Sequence, residues 1–199
     1  MIASLCERGI DMAADAKELL ENSQKTKALR PDDIPDLDLY MDQIIALMSA
    51  HLGETGEKEP LTRTMIHNYS KAGLISPVKG KKYTKEHILQ MLVIYSLKNT
   101  LSIAQVKRVL NGAAMCGVGE KELTDCFNTQ LERREQMNER VTQSMLQLMN
   151  ETGMTLDTPA EALSFLLTLT DITDMFTTFA SAIAQEYFPE PEAPQKKKK

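Results

Sequence analysis

Tryptophan is missing from the 199-residue chain, and aromatic residues of all kinds make up only 5% of it. A core without large rings must be filled by aliphatic side chains and by the 12 methionines, which suits packed helices better than sheets. Cysteine occurs three times, at Cys6, Cys116 and Cys126. An odd, sparse set excludes a disulfide framework and fits a reducing compartment. No apolar run approaches the roughly 20 residues that span a bilayer. The first ten residues lack the charged-then-apolar order of a signal peptide. The chain therefore reads as cytoplasmic, with no membrane partner.

Catalytic signatures are missing too. There is no Gly-rich phosphate loop. His51, His67 and His87 are scattered with no nucleophile–base pattern. Cys116 and Cys126 stand ten apart with no histidine near them in sequence, which is not a metal-ligand spacing, and they read as buried structural thiols. The acidic run Asp32, Asp33, Asp36, Asp38 and Asp42 reads as capping and linker residues rather than a carboxylate pair. No enzyme, metal or cofactor is expected.

What the chain does have is an uneven charge distribution. The formal net charge is −5. Residues 55–112 nevertheless carry ten bases against three acids, a local +7 that leaves −12 elsewhere. A basic segment in an acidic chain is the footprint of a phosphate-binding face, or else a solvated, lysine-rich surface.

Periodicity organises the rest. Residues 3–28 have helical spacing, and Arg30 to Pro35 is a Pro/Asp linker. Asp38 is placed to cap a helix whose inward face is Tyr40, Ile44, Ile45, Leu47, Met48 and Leu52, closed by Gly53. After a polar connector, Thr62 caps a short helix that stops at Gly73. Residues 74–83 read as a tight hairpin turning at Gly80. Thr84 opens a helix with Ile88, Met91, Leu92, Ile94 and Tyr95 inward, and Ser102 opens another with Ile103, Val106 and Leu110 inward. Asn111-Gly112 begins glycine-rich punctuation, and two long helices follow, Lys121 to Met149 and Pro159 to about Phe188. The tail 189–199 is disordered by composition.

The short helix 62–72 carries the functional signal. At about 3.6 residues per turn, Met65, Ile66, Tyr69 and Ala72 gather on one side, and Arg63, Thr64, His67, Asn68 and Lys71 on the other. Asn and Arg read adenine and guanine bidentately in the major groove. Thr, His and Lys suit phosphates or single base contacts. A plain surface helix would more often carry Glu–Lys pairs, but no acid occurs from Arg63 to Lys85. Lys79, Lys81 and Lys82 with Tyr83 then form a basic hairpin beside that helix, within reach of the backbone of double-stranded DNA. The order helix, connector, short helix, basic hairpin, helix, helix is a winged helix-turn-helix in sequence form.

The string from Thr62 to Ile75, with Pro77, Lys81-Lys-Tyr-Thr84, Ile88, Ile94-Tyr-Ser-Leu97 and Leu101-Ser-Ile-Ala-Gln-Val-Lys107, resembles the MerR-type DNA-binding domain. The resemblance covers about the middle third of the chain. It implies that His67 stands where that family usually has a DNA-contacting arginine, Asn68-Tyr69 where it has a Tyr-Tyr pair, and Lys81 where it has the wing arginine. The whole chain also resembles a group of small bacterial proteins known as domain of unknown function eighteen-thirty-six, on Leu39-Tyr-Met-Asp42 and Pro60-Leu-Thr-Arg-Thr-Met-Ile-His-Asn-Tyr69.

MerR-type proteins dimerise through a long helix after the domain and sense a ligand beyond it; the resemblance gives that place to Lys121–Met149. The apolar coverage of Pro159–Phe188 is broader than one partner helix could bury, which puts it at the centre of a bundle or in a dimer interface. The sequence thus reads as a mainly α protein in four parts. These are an N-terminal helix and linker (1–34), a MerR-like winged helix-turn-helix with a small β-hairpin wing (35–112), a C-terminal helical module for dimerisation or sensing (113–188) and a tail (189–199). The expected function is a homodimeric, DNA-binding transcriptional regulator with half-sites ~34 Å apart and an effector that the sequence does not name. The alternative is a winged-helix protein for protein–protein contact or ligand sensing that does not bind DNA.

Overall fold

The computed structural model describes residues 12–24, 28–52 and 60–189. Gly53, the connector 54–59, residues 3–11 and 25–27 of the segment expected to be helical and the tail from residue 190 lie outside the described residues. Seven α-helices are described: α1 (Met12–Gln24), α2 (Met41–Leu52), α3 (Arg63–Lys71), α4 (Lys85–Leu97), α5 (Ile103–Met115), α6 (Glu120–Thr152) and α7 (Pro159–Tyr187). A 3-10 turn covers Pro31–Asp33, and two short strands, β1 (Leu39–Tyr40) and β2 (Lys82–Tyr83), complete the set. The protein is mainly helical, as its composition indicates.

Packing divides the chain into two compact units, neither contiguous in sequence: 1–27 with 129–175, and 28–128 with 176–199. The second unit holds a continuous core. At its centre is α4, with His87, Ile88, Leu89, Gln90, Met91, Leu92, Ile94 and Tyr95 all buried. Ile44 and Met48 of α2, Ile66 and Tyr69 of α3, and Val106 and Leu110 of α5 pack into the same cluster. Pro31 and Ile34 are also buried, with Leu29 just before them, so the Pro/Asp stretch read as a linker is held against the fold at two of its six residues. In the first unit, Gln24 of α1 donates its side-chain amide to the Asn138 carbonyl (3.2 Å) and to the Thr142 hydroxyl (3.0 Å) of α6.

Three of the four expected helix caps act as the sequence predicts. The Thr62 hydroxyl accepts the Met65 amide at 3.2 Å, and Ser102 forms a reciprocal box with Gln105. Thr84 does the same with His87, whose Nδ1 accepts the Thr84 amide at 3.1 Å. Gly73, at φ 67°, ends α3 and lets the Leu74 amide return to the Tyr69 carbonyl at 2.9 Å.

Non-local contacts overturn several expectations. Residues 74–83 do not pair with themselves. Lys82–Tyr83 is a strand, but its antiparallel partner is Leu39–Tyr40, in the register Leu39↔Tyr83 and Tyr40↔Lys82. Two observations explain the change. The pairing buries both Leu39 and Tyr83 against the core, and the Ser76 amide, which a hairpin would use, donates to the Gln90 side chain at 2.8 Å. Asp38 is not the cap of α2; the helix starts at Met41, where the Tyr40 amide donates to Gln43 Oε1 at 2.8 Å. Tyr40, Ala72 and Ile103, expected inward, are exposed. Cys116 and Cys126 are exposed as well, not buried.

Gly112 is no helix stop: α5 runs through it to Met115 and turns at Gly117, φ 84°. Its role is close approach. A Cβ at Gly112 would stand 2.8 Å from the Phe188 Cβ and 3.0 Å from the Pro189 carbonyl oxygen.

Candidate nucleic-acid interface

The short helix α3 is held by two side chains. Ile66 is fully buried and Tyr69 nearly so, which fixes the rotation of the helix about its axis. The opposite face follows from the 100° step between residues: Arg63, Thr64, His67, Asn68 and Lys71 are all exposed. Four of these are open polar groups on a nine-residue helix with no acid in its first turn. The turn 79–81 adds exposed Lys79 and Lys81. Lys82 is exposed too, and its ammonium lies 5.3 Å from the centre of the Tyr40 ring, a contact that keeps the cation in place without neutralising it.

Two expected residues sit differently. Tyr83 is a core residue, 7% exposed, with its ring edge-on to His87 at 5.9 Å between centroids. Burial pushes its hydroxyl above the usual tyrosine range. Arg63 is ion-paired with Asp42 of α2. Both partners are about two-thirds exposed, so the pair is solvated and contributes at most ~1 kcal/mol. A phosphate or guanine edge could displace Asp42 at little cost.

One cation was not singled out in advance. Lys107 of α5 reaches the turn that follows α3: a Cβ at Gly73 would lie 3.7 Å from its ammonium nitrogen. There it complements the C-terminal end of the helix dipole and extends the basic face. Lys107 closes the string Leu101-Ser-Ile-Ala-Gln-Val-Lys107, but only the structure shows its ammonium beside the turn at Gly73. Other bases of the +7 segment are used internally. Lys85 meets Asp36 at 3.6 Å. Arg108 donates from Nε to the Phe188 carbonyl and from a terminal nitrogen to the Gln185 carbonyl, both at 2.7 Å.

The acids of residues 32–42 also belong to this unit, because β1 joins β2. Residues 28–128 carry twelve bases and twelve acids and are neutral overall. The +7 of residues 55–112 is thus offset within residues 28–128 as a whole. Among the described residues no group of three His, Cys, Asp or Glu side chains is placed to hold a metal ion, and no helix is long and apolar enough to cross a membrane.

No curated protein and no solved structure matches the chain. One family matches, over residues 29–129, a stretch that coincides with the N-terminal segment of the second unit. From Leu29 in the core to the opening of α6, the chain belongs to the family described as Domain of unknown function (DUF1836).

Proposed function

We propose that the chain binds double-stranded DNA through the outer face of α3 and acts as a cytoplasmic transcriptional regulator of MerR-like, winged-helix type. The observation that carries this reading is the joint exposure of Thr64, His67, Asn68 and Lys71 on a helix pinned by Ile66 and Tyr69, with Lys79, Lys81 and Lys82 exposed close by in sequence. Asn68 and Arg63 supply groups for base edges, and the lysines supply phosphate contacts. The turn 79–81 takes the part of the wing.

The test is fluorescence anisotropy on mixed duplex DNA as a function of salt. With three to five lysines on phosphate, log affinity falls against log salt with a slope of roughly −2.7 to −4.5. Lys81→Glu with Lys82→Glu abolishes binding, whereas Arg63→Ala lowers selectivity among sequences more than it lowers total affinity. No binding at about 50 mM salt, a permissive ionic strength, sinks the proposal. A second reading, a winged-helix protein that contacts protein partners or senses a ligand without DNA, draws support from the Arg63–Asp42 pair and from the neutrality of residues 28–128.

A further inference from the structure

The C-terminal part of α7 is fastened on one side and bare on the other. Ala184 is buried in the core of the second unit, and Ala180 packs against it. Arg108 binds the carbonyl of Gln185 in its last turn and that of Phe188 just beyond it. The bare side carries Phe176 (62% exposed), Phe179 (64%), Ile183 (39%) and Tyr187 (72%). At 100° per residue these four fall within one stripe about 80° wide. No charged residue occurs from Phe176 to Gln185.

We infer that this stripe is a self-association surface and that its occupant is the same stripe of a second copy of this chain, packed antiparallel about a two-fold axis. The register supports that occupant. Residues 176, 179, 183 and 187 are nearly symmetric about a point between Ser181 and Ala182. A two-fold axis at that point sets Phe176 against the partner's Tyr187 and brings Phe179 within one residue, about 1.5 Å along the helix, of the partner's Ile183. Each aromatic ring then meets an apolar side chain, as an isologous interface requires. Glu186 falls opposite the partner's Thr177, so like charges do not meet. A stripe with no charge carries no code for a charged heterologous partner.

Area points the same way. At roughly 200 Å² per large side chain, the four exposures amount to about 470 Å² per copy and about 950 Å² for the pair. With the edge positions Ala182 and Glu186, the pair reaches the ~1,000 Å² that a specific interface needs. The rigid seat of α7 means that little order has to be gained on association. The first unit, taken by itself, adds an independent sign. Among its described residues the buried apolar side chains are Ala16, Leu131 and Met149, while Met137, Val141, Leu163, Leu166 and Leu167 remain exposed. Large apolar side chains thus stay bare among the described residues of that unit as well.

This inference does not depend on DNA binding, and its test uses none. Sedimentation equilibrium of the full chain is expected to show a reversible dimer, with Phe176→Glu/Phe179→Glu raising the dissociation constant by ~100-fold or more. Both positions are well exposed, so the helical circular dichroism of the variant stays as in the parent. Register is read in a background with Cys6, Cys116 and Cys126 replaced by serine. A mixture of Phe176→Cys and Tyr187→Cys chains cross-links, whereas either chain alone does not, since identical positions lie ~16 Å apart along the helix. Several results overturn the inference: a monomer up to about 100 µM, a concentration that would populate even weak dimers; a dimer indifferent to the glutamates; cross-linking of one variant with itself; or a monomer that floats with uncharged phosphatidylcholine vesicles.

Discussion

Replacing Gly112 with alanine sets two effects of known size against each other. Within a helix interior, alanine is favoured over glycine by ~1 kcal/mol, and Gly112 lies three residues before the end of α5. The new methyl group, however, would stand 2.8 Å from the Phe188 Cβ and 3.0 Å from both the Phe188 Cα and the Pro189 carbonyl oxygen. Two of these atoms are backbone, and Arg108 fixes that backbone with charge-assisted bonds at 2.7 Å. Forcing a methyl group into a packed contact costs ~1–3 kcal/mol. The contact therefore outweighs the propensity, and Gly112→Ala is expected to destabilise by about 1 kcal/mol in urea unfolding followed by circular dichroism. The same substitution in a chain ending at Tyr187 meets no Phe188. There the sign reverses, and alanine stabilises by ~0.5–1 kcal/mol. A stabilising Gly112→Ala in the full chain would refute the close approach of α5 and Phe188.

Two further perturbations test other parts of the fold. Gln90→Leu removes the acceptor of the Ser76 amide at 2.8 Å and the donor to its hydroxyl at 2.9 Å; the unsatisfied groups cost ~1–3 kcal/mol, and amide exchange at Ser76 speeds up, so an unchanged exchange rate would contradict the observed path of residues 74–79. The Glu161 carboxylate is held below its ordinary 4.5 first by the Thr155 hydroxyl and then by Thr158, and Glu122 by its own amide and that of Gly119. Because both are lowered, their contribution is present above pH ~4.5 and is lost as pH falls below it. Glu122→Gln/Glu161→Gln should flatten the acid limb of the helical signal, and an identical limb would show that the N-terminal ends of α6 and α7 do not depend on these groups.

What could be read from the sequence was local. Thr62, Thr84 and Ser102 signal their helices because each cap acts on an amide two or three residues away. The five residues expected inward on α4 are all buried, but burial runs round the whole helix and takes in His87, Leu89 and Gln90, which a one-face pattern does not foresee; the outer face of α3 follows from Ile66 and Tyr69. What could not be read depends on distant partners. A two-residue strand has no alternation to detect, so nothing near Lys82 announces Leu39 as its neighbour. Gly112 looks like punctuation until Phe188 is beside it. The charge count found the basic segment but not its opposition, because Asp36 and Asp42 meet Lys85 and Arg63 only after β1 joins β2.

The clamp of Arg108 and Gly112 on the end of α7 also has a consequence in time. The second unit begins at residue 28 but is completed only by residues from 176 onward. At a synthesis rate of roughly 5–20 residues per second, making residues 129–188 takes about 3–12 s. Throughout that interval the groove beside Gly112 lacks its occupant, and the cleft side of α5 stays open to water and to any helper protein at the ribosome. The end of α7 with Phe188 and Pro189 is therefore the latch of a body that is begun at residue 28 and closed only after residues 129–175 have been made.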